Sequence, residues 1–165
     1  MHASFTTPIR HMSNRFTVTI NQIDCFERLF RLRLPFRYGV VTLKQAMQAF
    51  VRVQISDDSG QTEIGFSAEV LAPKWFDKSA ALNNRDNENQ LRTSIRIAAK
   101  AYANAPPLTP FSLHAPLYPE ILAHAHKVKL NPLVAGFGQS LIDRAVLDAY
   151  CRIAGVSFFD AIKTK

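Results

Sequence analysis

Apolar and polar side chains alternate along much of the first half of this chain. Between Asp24 and Leu34, Phe26, Phe30, Leu32 and Leu34 fall on one side of an extended chain, and Glu27, Arg31 and Arg33 on the other; Arg28 and Leu29 interrupt the alternation. Ala49 to Ile55 is more regular, with Ala49, Val51, Val53 and Ile55 opposing Arg52 and Gln54. A period of two marks a strand with one buried face. Ser56-Asp57-Asp58-Ser59-Gly60 is a turn cluster in which Gly60 can supply a positive φ. From Thr62 to Glu69 the alternation resumes, with Ile64, Phe66 and Ala68 on the expected core side and Glu63, Gly65 and Ser67 outside. The pattern predicts a three-stranded antiparallel sheet whose last two strands form a hairpin.

The second half changes period. Leu91, Ile95, Ala98, Ala99 and Tyr102 recur at helical spacing behind a polar opening from Asn83 to Asn89. Five of the nine prolines then fall between Pro106 and Pro119, so no helix is expected through that stretch. A short helix is expected over 119–128, starting on proline. The strongest helical stripe is Ile142, Ala145, Val146, Ala149 and Ile153. It predicts a helix over 140–154, opened by Ser140 with Asp143 as a capping pair and closed by Gly155. Strands first and helices afterwards make the fold class α+β, a three-stranded antiparallel sheet followed by a helical bundle.

No acidic residue precedes Asp24, but Pro8 and the lack of an amphipathic repeat argue against a targeting helix. Residues 1–22 are therefore expected to be a flexible tail, 23–139 the domain proper, and 140–165 a terminal helical segment. At 165 residues the chain has the length of one domain, with room for a core but not for a (β/α)₈ barrel of about 250 residues. No apolar run reaches the roughly 18 residues of a membrane span. Cys25 and Cys151, far apart and without a signal peptide, imply free thiols in a reducing cytoplasm.

Twenty Lys and Arg against 13 Asp and Glu give a net charge of +7, which favours anionic ligands. The basic residues are scattered, however, so nucleic acid is not expected as a partner. Arg28, Arg31, Arg33 and Arg37 keep open the alternative of a small basic binding module for anionic ligands or nucleic acid. His124 and His126 diverge on a helix and do not form a metal pair. Asp143 and Asp148 diverge as well; a structural role is expected for both, Asp148 bonding a neighbouring backbone or an arginine. No nucleophile elbow, phosphate loop or zinc ribbon occurs.

One segment stands apart: Arg33-Leu34-Pro35-Phe36-Arg37-Tyr38-Gly39-Val40-Val41-Thr42, aromatic and basic, with Pro and Gly fixing its path. On the residues alone it reads equally as a lid, whose aromatics exclude water while Arg37 pairs a carboxylate, or as a loop with its aromatics tucked beneath it. Pro35-Phe36-Arg37-Tyr38-Gly39 with Thr42, the Asp58-Ser59-Gly60 turn and Gly65-Phe66-Ser67-Ala68-Glu69 together resemble the N-terminal capping domain of the enolase superfamily, of the mandelate racemase/muconate lactonizing enzyme type. Pro73-Lys74-Trp75-Phe76 resembles the loop after that domain's third strand. The run from Ser140 to Asp148 with Gly155 resembles the helix leading into its barrel. The resemblance spans Phe26 to Ile162.

This resemblance implies an α+β cap in front of a modified TIM barrel that abstracts a proton next to a substrate carboxylate. In the intact enzyme Mg²⁺ stabilises the intermediate and a Lys or His is the base. Ligands and base sit on barrel strands, and the ten residues after Gly155 are too few for even one strand and helix of about five and eleven residues. Lys127-Val128-Lys129 precedes the helix that should come before the barrel, and Lys163-Thr164-Lys165 follows that helix with no room for the intervening elements, so neither is the family's barrel pair. The resemblance thus implies no catalytic residue and no metal or cofactor in this chain. Phe36, Arg37 and Tyr38 would be its substrate-binding lid, and Lys74, Trp75 and Phe76 a second lid loop. Expected partners are a catalytic barrel, in cis or in trans, the carboxylate substrate, and another copy of the chain. Phe36, Trp75, Phe76, Phe158 and Phe159 are the aromatics expected to lie exposed without a barrel. The proline-rich stretch and the histidine-bearing helix have no counterpart in the pattern.

Overall fold

A computed structural model describes residues 16–163. Three strands, β1 (Val18–Tyr38), β2 (Val41–Asp57) and β3 (Thr62–Val70), are followed by helices α1 (Asn84–Ala103), α2 (Pro110–Lys127), α3 (Pro132–Ala154) and the short α4 (Phe158–Lys163). The strands pair antiparallel in the order β1-β2-β3, and α3 packs on β2 and β3 while touching every other helix. The α+β class expected from the pattern is the one found.

The regular alternation of β2 does what it promised. Ala49, Val51, Val53 and Ile55 are buried beneath the helices. Asp57 closes the strand and holds the following turn, accepting from the Ser59 N–H (2.9 Å), the Ser59 hydroxyl (2.8 Å) and the Gln61 N–H (2.8 Å). Burial alone would raise its pKa, but these donors together bring it below the usual carboxylate value.

The facing of β1 and β3 differs from expectation. Val53 pairs with Gly65 and Val51 with Ser67, so Gly65 and Ser67 share the helix-covered face. Ile64, Phe66 and Ala68 lie on the opposite side. The Ser67 hydroxyl donates to the Leu141 carbonyl at 2.6 Å, and Gly65 lies against the α3 backbone. On β1, Phe26 and Leu34 are likewise exposed rather than buried. On β3 the larger apolar groups occupy the open face because α3 approaches that strand too closely for anything but small residues.

Three boundaries also move. The expected tail is ordered from Phe16, whose ring meets Tyr150 at 4.6 Å, and the Val18 N–H donates to the Leu108 carbonyl at 2.9 Å. Residues 1–15 lie outside the described residues. Helix α2 runs through Pro116 and Pro119, where a break was expected. Each internal proline costs about 3 kcal/mol, but Leu113, Leu117, Ile121 and Ala125 form a buried stripe. Burying such side chains stabilises by roughly 1.5–3 kcal/mol each, which offsets the loss. Helix α3 starts at Pro132 behind the cap Asn131, not at Ser140, so the expected division between 139 and 140 falls inside a helix. Its C-terminal cap is Gly155 at φ 63°, where the pattern placed it.

Asp143 accordingly caps nothing. It receives the Tyr102 hydroxyl of α1 on one oxygen and His114 Nδ1 of α2 on the other at 2.8 Å, joining three helices at one carboxylate. Gln139 donates to the Tyr102 oxygen (3.3 Å) and the His114 carbonyl (3.1 Å). Asp148 does bond a backbone and an arginine: it accepts the Phe66 N–H at 2.9 Å and pairs with Arg152 at 3.2 Å.

Candidate functional site

The hairpin of β1 and β2 extends well past the part of the sheet that the helices cover. Its register shifts between the Arg31–Gln45 and Phe36–Leu43 pairs, leaving 32–35 as a bulge on β1. Pro35, which has no N–H for a ladder bond, sits in that bulge. The bulge bends the arm, and a tight turn through Gly39 (φ 53°) and Val40 ends it, with Val40 93% exposed.

The tip is fastened to the segment after β3. The Tyr38 hydroxyl donates to the Pro73 carbonyl at 2.9 Å, and its ring meets Trp75 edge-on at 5.2 Å and Phe36 at 5.7 Å. Burial raises the Tyr38 pKa, so the hydroxyl stays a neutral donor. Lys74 holds a left-handed backbone, φ 62°, uncommon for a residue with a side chain. It is retained by its surroundings: its N–H donates to Asn87 Oδ1 at 3.2 Å, and its ammonium to the carbonyls of Ser79 (2.7 Å) and Leu82. Asp77 stiffens the same loop through the Ser79 N–H (2.9 Å) and Gln90 Nε2 (3.0 Å). The Ser79 bond, then the Gln90 bond, lower its pKa.

Between tip and loop lies a cleft of about 480 Å³ lined by Tyr38, Val40, Lys74, Trp75 and Lys78. The structure therefore brings Phe36, Tyr38 and Trp75 together, although Phe36 and Trp75 lie 39 residues apart. Three other expected residues are placed differently. Arg37 falls on the opposite face of β1 from Phe36 and Tyr38 by strand alternation, and it makes no ion pair among the described residues. Lys74 borders the cleft with its ammonium already committed to the loop. Phe76 turns inward onto Phe137, with ring centroids 5.0 Å apart, and is not among the exposed aromatics. Lys78 went unnoticed in the sequence, where nothing distinguishes it from any other surface lysine. Arg28 and Arg31 pair with Gln48 and Gln45, three positions apart, so they face opposite sides of β1 and do not share one cationic surface.

A second hollow, about 730 Å³, lies at the end of α3 against α4, between Arg144 and Arg152, with Leu147, Cys151 and Phe158 in its wall. Burial first, and Asp148 second, raise the Cys151 pKa; burial and Asp24 do the same for Cys25. Less thiolate at a given pH means slower attack. Both cysteines should react with iodoacetamide at pH 8 more slowly than free cysteine, and rates equal to it would contradict these surroundings. Among the described residues no three His, Cys, Asp or Glu side chains converge to hold a metal ion, and no helix is long and apolar enough to cross a membrane.

No family model matches the chain, and no curated protein matches it. Two solved structures do. One is an enolase from Bradyrhizobium complexed with magnesium and mandelic acid, 18% identical, TM-score 0.56, with 89% of this chain matched to 35% of that one. The other is an enolase from alpha proteobacterium bal199 with bound magnesium, 17% identical, TM-score 0.56, with 88% matched to 34%. At such identity the likeness is one of fold, and this chain spans about a third of the length of each enolase. The fold implied by the sequence resemblance and the fold found in three dimensions agree.

Proposed function

We propose that this chain is the capping, specificity-conferring domain of a Mg²⁺-dependent enolase-superfamily enzyme, an acid-sugar dehydratase, racemase or cycloisomerase, inert as this piece alone. The observation that carries the reading is the meeting of two segments, Phe36–Tyr38 and the loop at Lys74–Lys78, around one cleft at the free end of a hairpin. Tyr38 and Trp75 form an apolar wall that excludes water from a bound substrate, with Phe36 packed against the Tyr38 ring, and the ammonium of Lys78 draws a carboxylate towards it. A drier site strengthens every charge interaction within it. Magnesium belongs to both matched enolases and mandelic acid to the Bradyrhizobium one; the described residues here do not fit a metal ion, so no step through Mg²⁺ is assigned to them. The proton transfer falls to a barrel, supplied in cis or in trans.

The purified chain, mixed with Mg²⁺ and a 2-hydroxy carboxylate in D₂O, should exchange no Cα proton and show no micromolar Mg²⁺ binding by calorimetry. Metal-dependent exchange would overturn the assignment. Reading the genomic DNA past the Lys165 codon for a barrel, in frame or after a frameshift, tests the cis form. Joined to such a barrel, Trp75, the one tryptophan of the chain, should become less accessible to iodide quenching; unchanged quenching would remove the lid role.

A further inference from the structure

The cleft between the hairpin tip and the loop after β3 is one-sided in its chemistry. Its side-chain lining consists of Val40 and Val41, the rings of Tyr38 and Trp75, and the ammonium groups of Lys74 and Lys78. No carboxylate, amide or aliphatic hydroxyl faces it among the described residues. The neighbouring acid, Asp77, already receives the Ser79 N–H at 2.9 Å and Gln90 Nε2 at 3.0 Å. Lys74 gives its ammonium to the Ser79 and Leu82 carbonyls, and Tyr38 its hydroxyl proton to the Pro73 carbonyl. The side-chain donors left wholly open are the Lys78 ammonium and the Trp75 indole N–H, both on exposed residues and neither with a hydrogen-bond partner among the described residues. The Tyr38 oxygen is the one side-chain acceptor.

We propose that this cleft binds a carboxylate with a flat aromatic body that carries neither an ammonium group nor a string of hydroxyls. The Trp75 and Tyr38 rings meet at 71° with their centroids 5.2 Å apart. In such a corner a flat ring stacked on one of them is presented edge-on to the other, and these are the two arrangements aromatic rings prefer. The cleft, about 480 Å³, falls within the range of small-molecule pockets, with room for more than one ring. A carboxylate is an acceptor only, and the open groups of the cleft are donors. An acid sugar fits poorly, because each hydroxyl brings a proton that needs an acceptor, and covering it unbonded carries a penalty. An ammonium-bearing acid fits worse, since Lys78 repels that group and no carboxylate answers it.

That such an acid is a substrate rests on the capping-domain reading above, and it narrows the choice there from acid sugars to aromatic acids. That it binds rests on the cleft alone.

Trp75 is the one tryptophan of the chain, so the isotope-labelled protein shows a single indole N–H signal in its amide spectrum, and that signal reports on the cleft. Titration with 2-naphthylacetate should shift it to saturation, with a dissociation constant on the order of 1 mM at the efficiency usual for a ligand of this size. Gluconate, of the same charge, and 2-naphthylmethylamine, of the same body, should each bind at least about tenfold more weakly. Lys78 is exposed, so Lys78→Glu should leave the rest of the spectrum in place while abolishing the response to the acid and conferring one to the amine. Lys78→Arg should retain the response to the acid, and added salt should weaken it. No indole shift with the acid would overturn the proposal, as would an equal shift with gluconate or the amine. So would an acid response unchanged in Lys78→Glu, or shifts confined to the hollow at Arg144, Arg152 and Phe158. Failure of the capping-domain reading shows elsewhere: no barrel encoded past the Lys165 codon and none found in trans, with the naphthyl acid still bound at Trp75, would remove the enzyme and leave the preference of the cleft standing.

Discussion

Gly65→Val should destabilise this protein by about 3 kcal/mol or more. A Cβ at Gly65 would stand 2.0 Å from the Ala145 carbonyl oxygen, 2.4 Å from the Ala149 nitrogen and 2.9 Å from the Ala149 Cβ. Two of these obstacles are the backbone of α3, which cannot step aside as a side chain can. The helix would have to lift off β3, opening the packing of Val51, Val53, Leu141 and Ala145 beneath it. Overpacking ordinarily costs about 1–3 kcal/mol. A clash with backbone belongs at or above the top of that range, a large share of the roughly 5–15 kcal/mol that holds a domain together. At about 2–4 °C per kcal/mol for a chain of this size, the thermal midpoint should fall by about 10 °C or more. Gly136→Ala is the matched control. Nothing lies within 4 Å of a Cβ there, and replacing a helix-interior glycine by alanine gains roughly 0.5–1 kcal/mol. Thermal and urea unfolding followed by circular dichroism separates the two. A Gly65→Val midpoint within about 2 °C of the parent, less than 1 kcal/mol, would mean that α3 does not approach β3 this closely.

Tyr102→Phe should destabilise the protein at neutral pH by about 1–3 kcal/mol, the usual consequence of leaving a buried partner unsatisfied, and should do so less as the pH rises above 10. Tyr102 is fully buried, with its hydroxyl donating to Asp143 and receiving Gln139 Nε2. Burial first, then the Asp143 charge and hydrogen bond, push its pKa far above the ordinary tyrosine value. The folded state therefore holds this proton more tightly than the unfolded chain, which releases it near pH 10. A raised folded-state pKa contributes stability that is fully present below about pH 10. Above that pH the contribution drains away at up to about 1.4 kcal/mol per pH unit. Phenylalanine carries no proton to lose. The stability curves of parent and variant, measured by denaturant unfolding between neutral pH and pH 11, should converge at the alkaline end. Parallel curves would show that the Tyr102 hydroxyl is not buried against Asp143.

Several features were decided by residues close together in the chain. The regular alternation from Ala49 to Ile55, the Asp57–Gly60 turn and the stripe from Ile142 to Ile153 ended by Gly155 were each legible, because period, turn chemistry and capping are set by neighbouring residues. The two loop segments were legible one at a time, as aromatic and basic runs with prolines and glycines that fix a path. Their meeting was not, since Tyr38 finds Pro73 and Trp75 only when β1 and β3 lie in one sheet.

The same limit explains each departure. Two prolines end an isolated helix, but α2 is not isolated, and its stripe from Leu113 to Ala125 outweighs the bonds lost at Pro116 and Pro119. Alternation shows that one side of a strand is apolar; it does not say which side the helices will choose. On β3 the choice fell to Gly65 and Ser67, because α3 could come close only over small side chains, and Ile64 and Phe66 were left facing outward. Asp143 read as a helix cap until Tyr102 and His114, distant in the chain, were brought to it by two other helices. Period and capping are local properties and were fixed by the residues alone. Facing, long-range hydrogen bonds and the cleft depend on how closely separate elements can approach, and that is a matter of volume and backbone contact, decided when the layers pack.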